Sequence, residues 1–349
     1  MNRQQVGKWI TATSLALGAA AAIAQQGPVG TYPQVPVTTD ATAQSTGTDN
    51  YGFCSTYGSD TSCYHNWLPT RPKNKVLLYT RTAGVRQASL GTPLAAGLNP
   101  TLGADNNTQK DMIRLLTAQG IAVDYTEDVR VLKSSTANLN QYAAIIFFST
   151  SGDVLFDHGS AVGALAVSGS TTAYLDAGRT ALRQYVRAGG GFVGVNYALG
   201  QNLDEGVSDF PWLTGLLGAN IYDSAGFQNG TIVIQGSDPS TAGVGTTIPF
   251  QDSWFTLVPY PRNVKVLATV DRSSLAVQKA VHPGHAVHPV AWCHYYDGGR
   301  AWITSLGTDA SATSDLTTTP SPSVPNRAAF QSMLVNGIKS AMGLTPFCT

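Results

Sequence analysis

Residues 181–200, ALRQYVRAGGGFVGVNYALG, read as a helix that halts at a run of glycines and passes into a short buried strand. Leu182, Tyr185 and Val186 fall on one helical face, as a helix laid against a sheet requires. Arg183 and Arg187 lie toward the C-terminal end, where cations suit the helix dipole. Gly189 supplies the positive φ of a helix C-cap without a Cβ penalty. Phe192, Val193 and Val195 then make the continuous apolar run of a strand covered on both faces. In a parallel α/β sheet, the residue just past such a strand faces the crevice at the carboxyl edge, where ligands bind. Here that residue is Asn196. Gly189, Gly191 and Gly194 match the spacing of a dinucleotide fingerprint, but that motif needs a strand first and a helix second. The order is reversed, so the glycines read as architecture and no cofactor is implied.

The same alternation recurs along the chain. KVLLYTR (75–81), IAVDYTED (121–128) and AAIIFFST (143–150) read as buried strands, with a helix over Asp105–Gln119 between the first two. Strands alternating with helices predict right-handed βαβ units and a parallel sheet. The second half is richer in strands: NGTIVIQG, VKVLATVD, HPVAWCHYYD and RAWITSLG. The last two meet across Asp297-Gly298-Gly299, a strong hairpin signal. A final helix over Asn326–Met342 puts Phe330, Met333, Leu334, Gly337 and Ile338 on one face.

Lys plus Arg and Asp plus Glu both number 21 in 349 residues. With no long basic run, nucleic-acid binding is disfavoured. Arg3 and Lys8 precede an alanine-rich apolar core over residues 10–23, and Ala22-Ile23-Ala24 supplies the small residues of a cleavage site. This predicts a signal peptide over residues 1–24 and a secreted or periplasmic protein, the other reading being a membrane-anchoring helix. No other stretch is apolar enough to be embedded in a bilayer. Residues 25–70 form a Pro/Thr/Ser/Gly-rich arm that cannot bury enough surface to fold alone. Its aromatic end, Tyr64, Trp67 and Leu68, either docks on the domain of residues 71–349 or serves as a tether.

In an oxidising compartment, Cys54 and Cys63 bracket a polar loop whose ends could meet in a disulfide. For Cys293 and Cys348 the sequence leaves two readings open, a pair with each other or two separate cysteines. His282, His285, His288 and His294 crowd into 13 residues, but the Pro283-Gly284 loop argues against a metal site. Strand alternation would put His288, Val290, Trp292 and His294 on one face, with His288 either lining a pocket or structural or solvent-exposed, and His294 in the interior. Arg86 leaves the first strand, where its guanidinium could fork onto a ligand or pair with Asp128 or Asp153. The two aspartates could do acid–base work or simply cap turns. Trp212, Trp254 and Trp292 could stack on a sugar ring or fill the core.

KVLLYTRTAGVRQASL, VDYTEDVRVL, FFSTSGDVL, YVRAGGGFVGVN, DSWFTL, HPVAWCHYYDGGRAWITSLG and the final helix, taken in this order, resemble the trehalose-utilisation ThuA-like family over roughly residues 74–343. The resemblance implies a flavodoxin-like fold similar to class I glutamine amidotransferases: a mostly parallel sheet with flanking helices, here with an N-terminal extended arm. It also implies a place in disaccharide or keto-sugar metabolism. The departures matter as much. An amidotransferase would carry cysteine at Asn196, and ThuA-like members usually carry histidine there. Gln87, Ser253 and Thr308 likewise stand where the family shows ionisable residues. Arg86, Ser89, Asp128, Ser151, Asp153, His288, Trp292, His294 and Arg300 are retained.

Two functions follow as expectations. The first is an exported protein that binds or modifies a sugar or glycan at the carboxyl edge. Asp153 and His288 would be its candidate proton-transfer groups, and Arg86, Ser89, Asp128, Ser151, Asn196, Asp252, Trp254 and Trp292 its ligand-binding set. The second is a non-catalytic envelope or self-assembling protein on the same scaffold, associating through its arm.

Overall fold

The computed structural model describes residues 64–68, 70–133, 139–155, 178–200, 211–278, 285, 287–315 and 324–349. The Cys54–Cys63 loop, the signal segment and most of the arm lie outside these residues. Nine strands form one sheet: β1 (Lys75–Tyr79), β2 (Ala122–Thr126), β3 (Ala144–Phe148), β4 (Gly191–Val195), β5 (Ile221–Ile234), β6 (Thr247–Leu257), β7 (Lys265–Asp271), β8 (Pro289–Tyr296) and β9 (Gly299–Thr304). Their order is β2-β1-β3-β4-β9-β8-β7-β5-β6. The first five are parallel and the rest antiparallel. The parallel half therefore has flavodoxin-like order, with its topological switch point between β1 and β3.

Side chains of the central strands alternate between two apolar layers. Val76, Leu78, Ile146, Phe148, Val193 and Val195 face helices α1 (Asn107–Thr117) and α5 (Arg327–Met342). Leu77, Tyr79, Ile145, Phe147 and Phe192 face α2 (Val129–Lys133), α3 (Arg179–Arg187) and α4 (Pro211–Leu217). Each fully buried Leu, Ile or Phe contributes about 2 kcal/mol of transfer free energy, so the sheet centre is the anchor of the fold. Gly337 lets α5 approach closely, since a Cβ there would collide with the Trp302 ring. Two features depart from the expected pattern. β6 is a full strand, and a register shift beside Val290 in β8 breaks the alternation there. Val290 and Trp292 consequently belong to opposite layers.

The glycine turn carries more than a helix cap. Gly189 has φ +92°, and a Cβ on it would strike the His65 carbonyl. The His65 amide donates to Gly298 O at 2.8 Å and its Nδ1 donates to Arg187 O at 2.6 Å. The end of the arm thus docks on its own domain, at the amino edge of the sheet. Arg183 and Arg187 converge on Asp297 of the β8–β9 hairpin, Arg187 Nε at 2.8 Å. Asp297 (φ +47°) and Gly298 (φ +89°) both take left-handed backbone, as the Asp-Gly signal requires. Cys293 and Cys348 form a disulfide that ties the C-terminal segment to β8.

Candidate functional site

β4 delivers Asn196 to the carboxyl edge with φ +55° and no exposed surface. Ser149, the residue after β3, has φ +51°. Two neighbouring strands therefore end in left-handed non-glycine residues, an arrangement that costs about 1 kcal/mol per residue and persists only where the surroundings enforce it. The enforcement is a chain of hydrogen bonds. Asn196 Nδ2 donates to Ser149 Oγ at 3.0 Å, and Thr308 Oγ1 donates to Asn196 Oδ1 at 3.1 Å. The Thr308 amide donates to Asp252 Oδ1 at 3.1 Å, and the Gly307 amide donates to Asp252 Oδ2 at 2.6 Å.

Asp252 comes from β6, on the far rim of the sheet. It reaches the loop after β9 through the β5–β6 hairpin, whose pairing shifts register between Ile221 and Asp223 and again between Ser224 and Phe227. Such irregularities bend a hairpin. This one packs Phe255 edge-on against Tyr197, with ring centroids 5.5 Å apart. Burial pushes the Asp252 carboxyl up to about 6, although the Gly307, Ser253 and Thr308 donors pull the other way. It is thus a buried carboxyl that changes charge near neutral pH.

The loops after β1 and β3 close on each other at the switch point. Ala83 N donates to Ser151 O at 2.7 Å, and Ser151 Oγ donates to Val85 O at 2.5 Å. Arg86 pairs with neither Asp128 nor Asp153. Its Nη2 and Nη1 donate to the two oxygens of Glu127 at 2.9 and 3.2 Å, and its Nε donates to Gly91 O at 2.6 Å. Glu127 is fully buried and also accepts from Thr80 Oγ1 and the Leu94 amide. Arg86 is therefore saturated by the protein. Asp128 caps α2, accepting from the Arg130 amide at 3.0 Å and from its guanidinium. Burial acts to raise the Asp128 carboxyl, but Arg130 and the Gly97 amide outweigh it and hold the pKa low. Ser89 is buried in the short turn Ala88–Leu90 beside this knot.

Sequence comparison supplies what the geometry leaves open: the model of the family described as ThuA, trehalose utilisation, matches residues 75–319. The chain belongs to the ThuA family. Among solved structures, it is similar to a putative ThuA-like protein from Bacteroides uniformis ATCC 8492, at 18% identity and TM-score 0.49, covering 76% of this chain and 90% of that one. A second, from Parabacteroides merdae ATCC 43184, has 14% identity and TM-score 0.47, covering 77% of this chain and 89% of that one. No curated protein matches the chain. Membership in this family suggests a carbohydrate-related role.

In this ThuA protein Trp212, Trp254 and Trp292 are core. Trp254 is 2% exposed and donates to Gln228 O at 3.0 Å, while Trp292 is 0% exposed and donates to Leu217 O at 2.9 Å. Trp212 donates to Asp297 near the opposite edge. None has an open face for a sugar. Among the described residues, Tyr197, on the turn after Asn196, is a half-buried aromatic at this edge. His294 lies inside the fold, donating from Nε2 to Gly215 O at 3.1 Å, and burial pushes it down to about 4. His288 immediately precedes β8, on the same sheet edge as Thr308; burial, then Arg272 and His285, lower its pKa. Among the described residues no His/Cys/Asp/Glu group is placed to hold a metal. Asp153 is half-buried in the segment that follows β3, and its charge adds to the burial that keeps the Tyr79 phenol protonated. Arg300 lies at the amino end of β9, far from this edge in strand direction. Sequence reasoning passed over Ser149, Glu127 and Tyr197. Ser149 carries the signal that exposed Asn196, a small polar residue directly after a doubly covered strand.

Proposed function

We propose that the protein is an exported ThuA-family member that binds a disaccharide or keto-sugar at the carboxyl edge of its sheet, with the reactive group at the apex replaced by a structural amide. The observation that carries this reading is Asn196, fully buried with both ends of its amide hydrogen-bonded, to Ser149 and from Thr308. An amide so held is neither a nucleophile nor a general base. The surface offered to a ligand is instead Tyr197, Asp153 and Thr308, all half-buried. An aromatic ring on the same sheet edge as a carboxylate and a hydroxyl suits a polyhydroxylated ring. The Cys293–Cys348 disulfide supports the exported compartment.

The test is a panel of trehalose, other disaccharides and 3-keto-disaccharides, read by thermal shift and by product analysis. At least one member should raise the melting temperature, and Tyr197→Ala should weaken that ligand by roughly tenfold. If turnover is seen, Asp153→Asn or His288→Gln should abolish it, and His288→Gln should do so while binding persists. Silence across the whole panel would sink the proposal.

A further inference from the structure

At the amino edge, opposite the crevice, the segment following the docked His65 walls off a cavity of about 220 Å³. Three cations line it: Arg71, Lys73 and Arg300. Among the described residues no carboxylate lines the cavity, and none of the three cations makes an ion pair. The two guanidiniums are oriented by aromatic rings, Arg71 Cζ lying 4.8 Å from the Tyr185 centroid and Arg300 Cζ 4.7 Å from that of Tyr64. Stacking of this kind fixes the guanidinium plane and leaves its edge donors available. Protein acceptors take few of those donors. Arg300 Nε donates to Ala341 O at 2.8 Å and Arg71 Nη2 to Ala188 O at 3.5 Å, while Arg71 Nε is buried with no acceptor.

Converging like charges in a partly enclosed space are unfavourable unless an anion neutralises them. Burial, with the like charge of Arg300 adding to it, lowers the pKa of Arg71, and no carboxylate is among the groups acting on it. The volume lies below the range of about 300–1,000 Å³ that holds drug-sized ligands, so the occupant is small. We infer that this cavity is a binding site for a small oxyanion, held by Arg71, Arg300 and Lys73. The shared chemistry is a phosphate, sulfate or sugar carboxylate group, which forked guanidinium donors match in geometry as well as charge. The site is separate from the carboxyl edge, so a failure of the sugar panel leaves it standing, and the reverse.

The experiment is calorimetric titration of the whole chain at low ionic strength with inorganic phosphate, sulfate and glucuronate, using chloride as the control. Saturable binding of one anion per chain, above the chloride response, is expected. Arg71→Gln should weaken it by roughly tenfold. Lys73→Gln, at an exposed position with no hydrogen bond to lose, should weaken it by about threefold and leave the melting temperature unchanged. If Arg71→Gln does not fold, the Lys73→Gln result decides. Preference for phosphate or sulfate assigns an inorganic or ester group, and preference for glucuronate assigns an acidic sugar. Responses no greater than chloride at millimolar anion, or an affinity untouched by Lys73→Gln and by any folded Arg71→Gln, would overturn the inference.

Discussion

The Thr308 hydroxyl donates to the Asn196 side-chain carbonyl at 3.1 Å, so the loop leaving β9 fixes which way the Asn196 amide points. Its NH₂ group is thereby aimed at Ser149. The strained end of β4 and the strained end of β3 are stabilised by one interaction chain, and that chain sets the terms of the following expectations.

Replacing Asn196 separates backbone strain from side-chain bonding. Asn196→Ala loses the amide and must also hold φ +55° with a Cβ. Asn196→Gly loses the same amide but tolerates the angle. Both should be destabilised, and Ala should be the worse by about 1 kcal/mol. Chemical denaturation measures the difference; equal stabilities would mean that the turn is not strained.

Asp252 should give stability a distinctive pH slope. The folded carboxyl holds its proton to about pH 6, whereas an unfolded aspartate titrates near 3.9. Between those values the folded state binds more protons than the unfolded one. Its contribution is fully present below about pH 4, falls as pH rises to about 6, then levels off, on the order of 3 kcal/mol in total. Asp252→Asn lacks this slope, while leaving the Gly307 amide facing an NH₂ group. Parallel stability curves for the two proteins from pH 4 to 6.5 would rule the titration out.

Arg86 and Glu127 form the test of a saturated cation. Glu127 is fully buried, so Arg86→Ala strands a carboxylate among Thr80, Gln109 and the Leu94 amide. The expected loss is about 3 kcal/mol of folding stability, visible as a lower melting temperature without any ligand present. An Arg86→Ala protein of normal stability and impaired sugar binding would return this residue to the ligand.

The Cys293–Cys348 bridge closes a 55-residue separation. The loop-entropy account puts the stabilisation near 4 kcal/mol, mostly through the unfolded chain. Cys348→Ser should lower the denaturation midpoint by a corresponding amount, and reductant should have the same effect on the wild-type protein. A midpoint insensitive to both would contradict the pairing.

The parallel half of the sheet was legible because its strands are uniformly apolar and its helices carry clear one-sided faces. β6 was not read as a strand because its inward series, Ile248, Phe250, Asp252 and Trp254, holds a carboxylate where alternation expects a hydrocarbon. The residue that concealed the strand is the one the network uses. The first half of β5 is polar and largely exposed, so nothing in it marks a strand until β6 is in place beside it. Arg86 was placed at the correct edge, but adjacent acids such as Glu127 and Asp128 cannot be told apart by pattern when both are buried. The tryptophans look alike in sequence whether they face a ligand or the core. Only depth separates them.

β4 is five residues long, with His65 seated against Gly189 at its lower end and Asn196 beyond its upper end. A surface, bead or fusion partner attached at residue 64 itself would therefore grip the molecule by its heel. The crevice would point away from that attachment, open to whatever diffuses past. An immobilised form made this way should keep its mouth unobstructed.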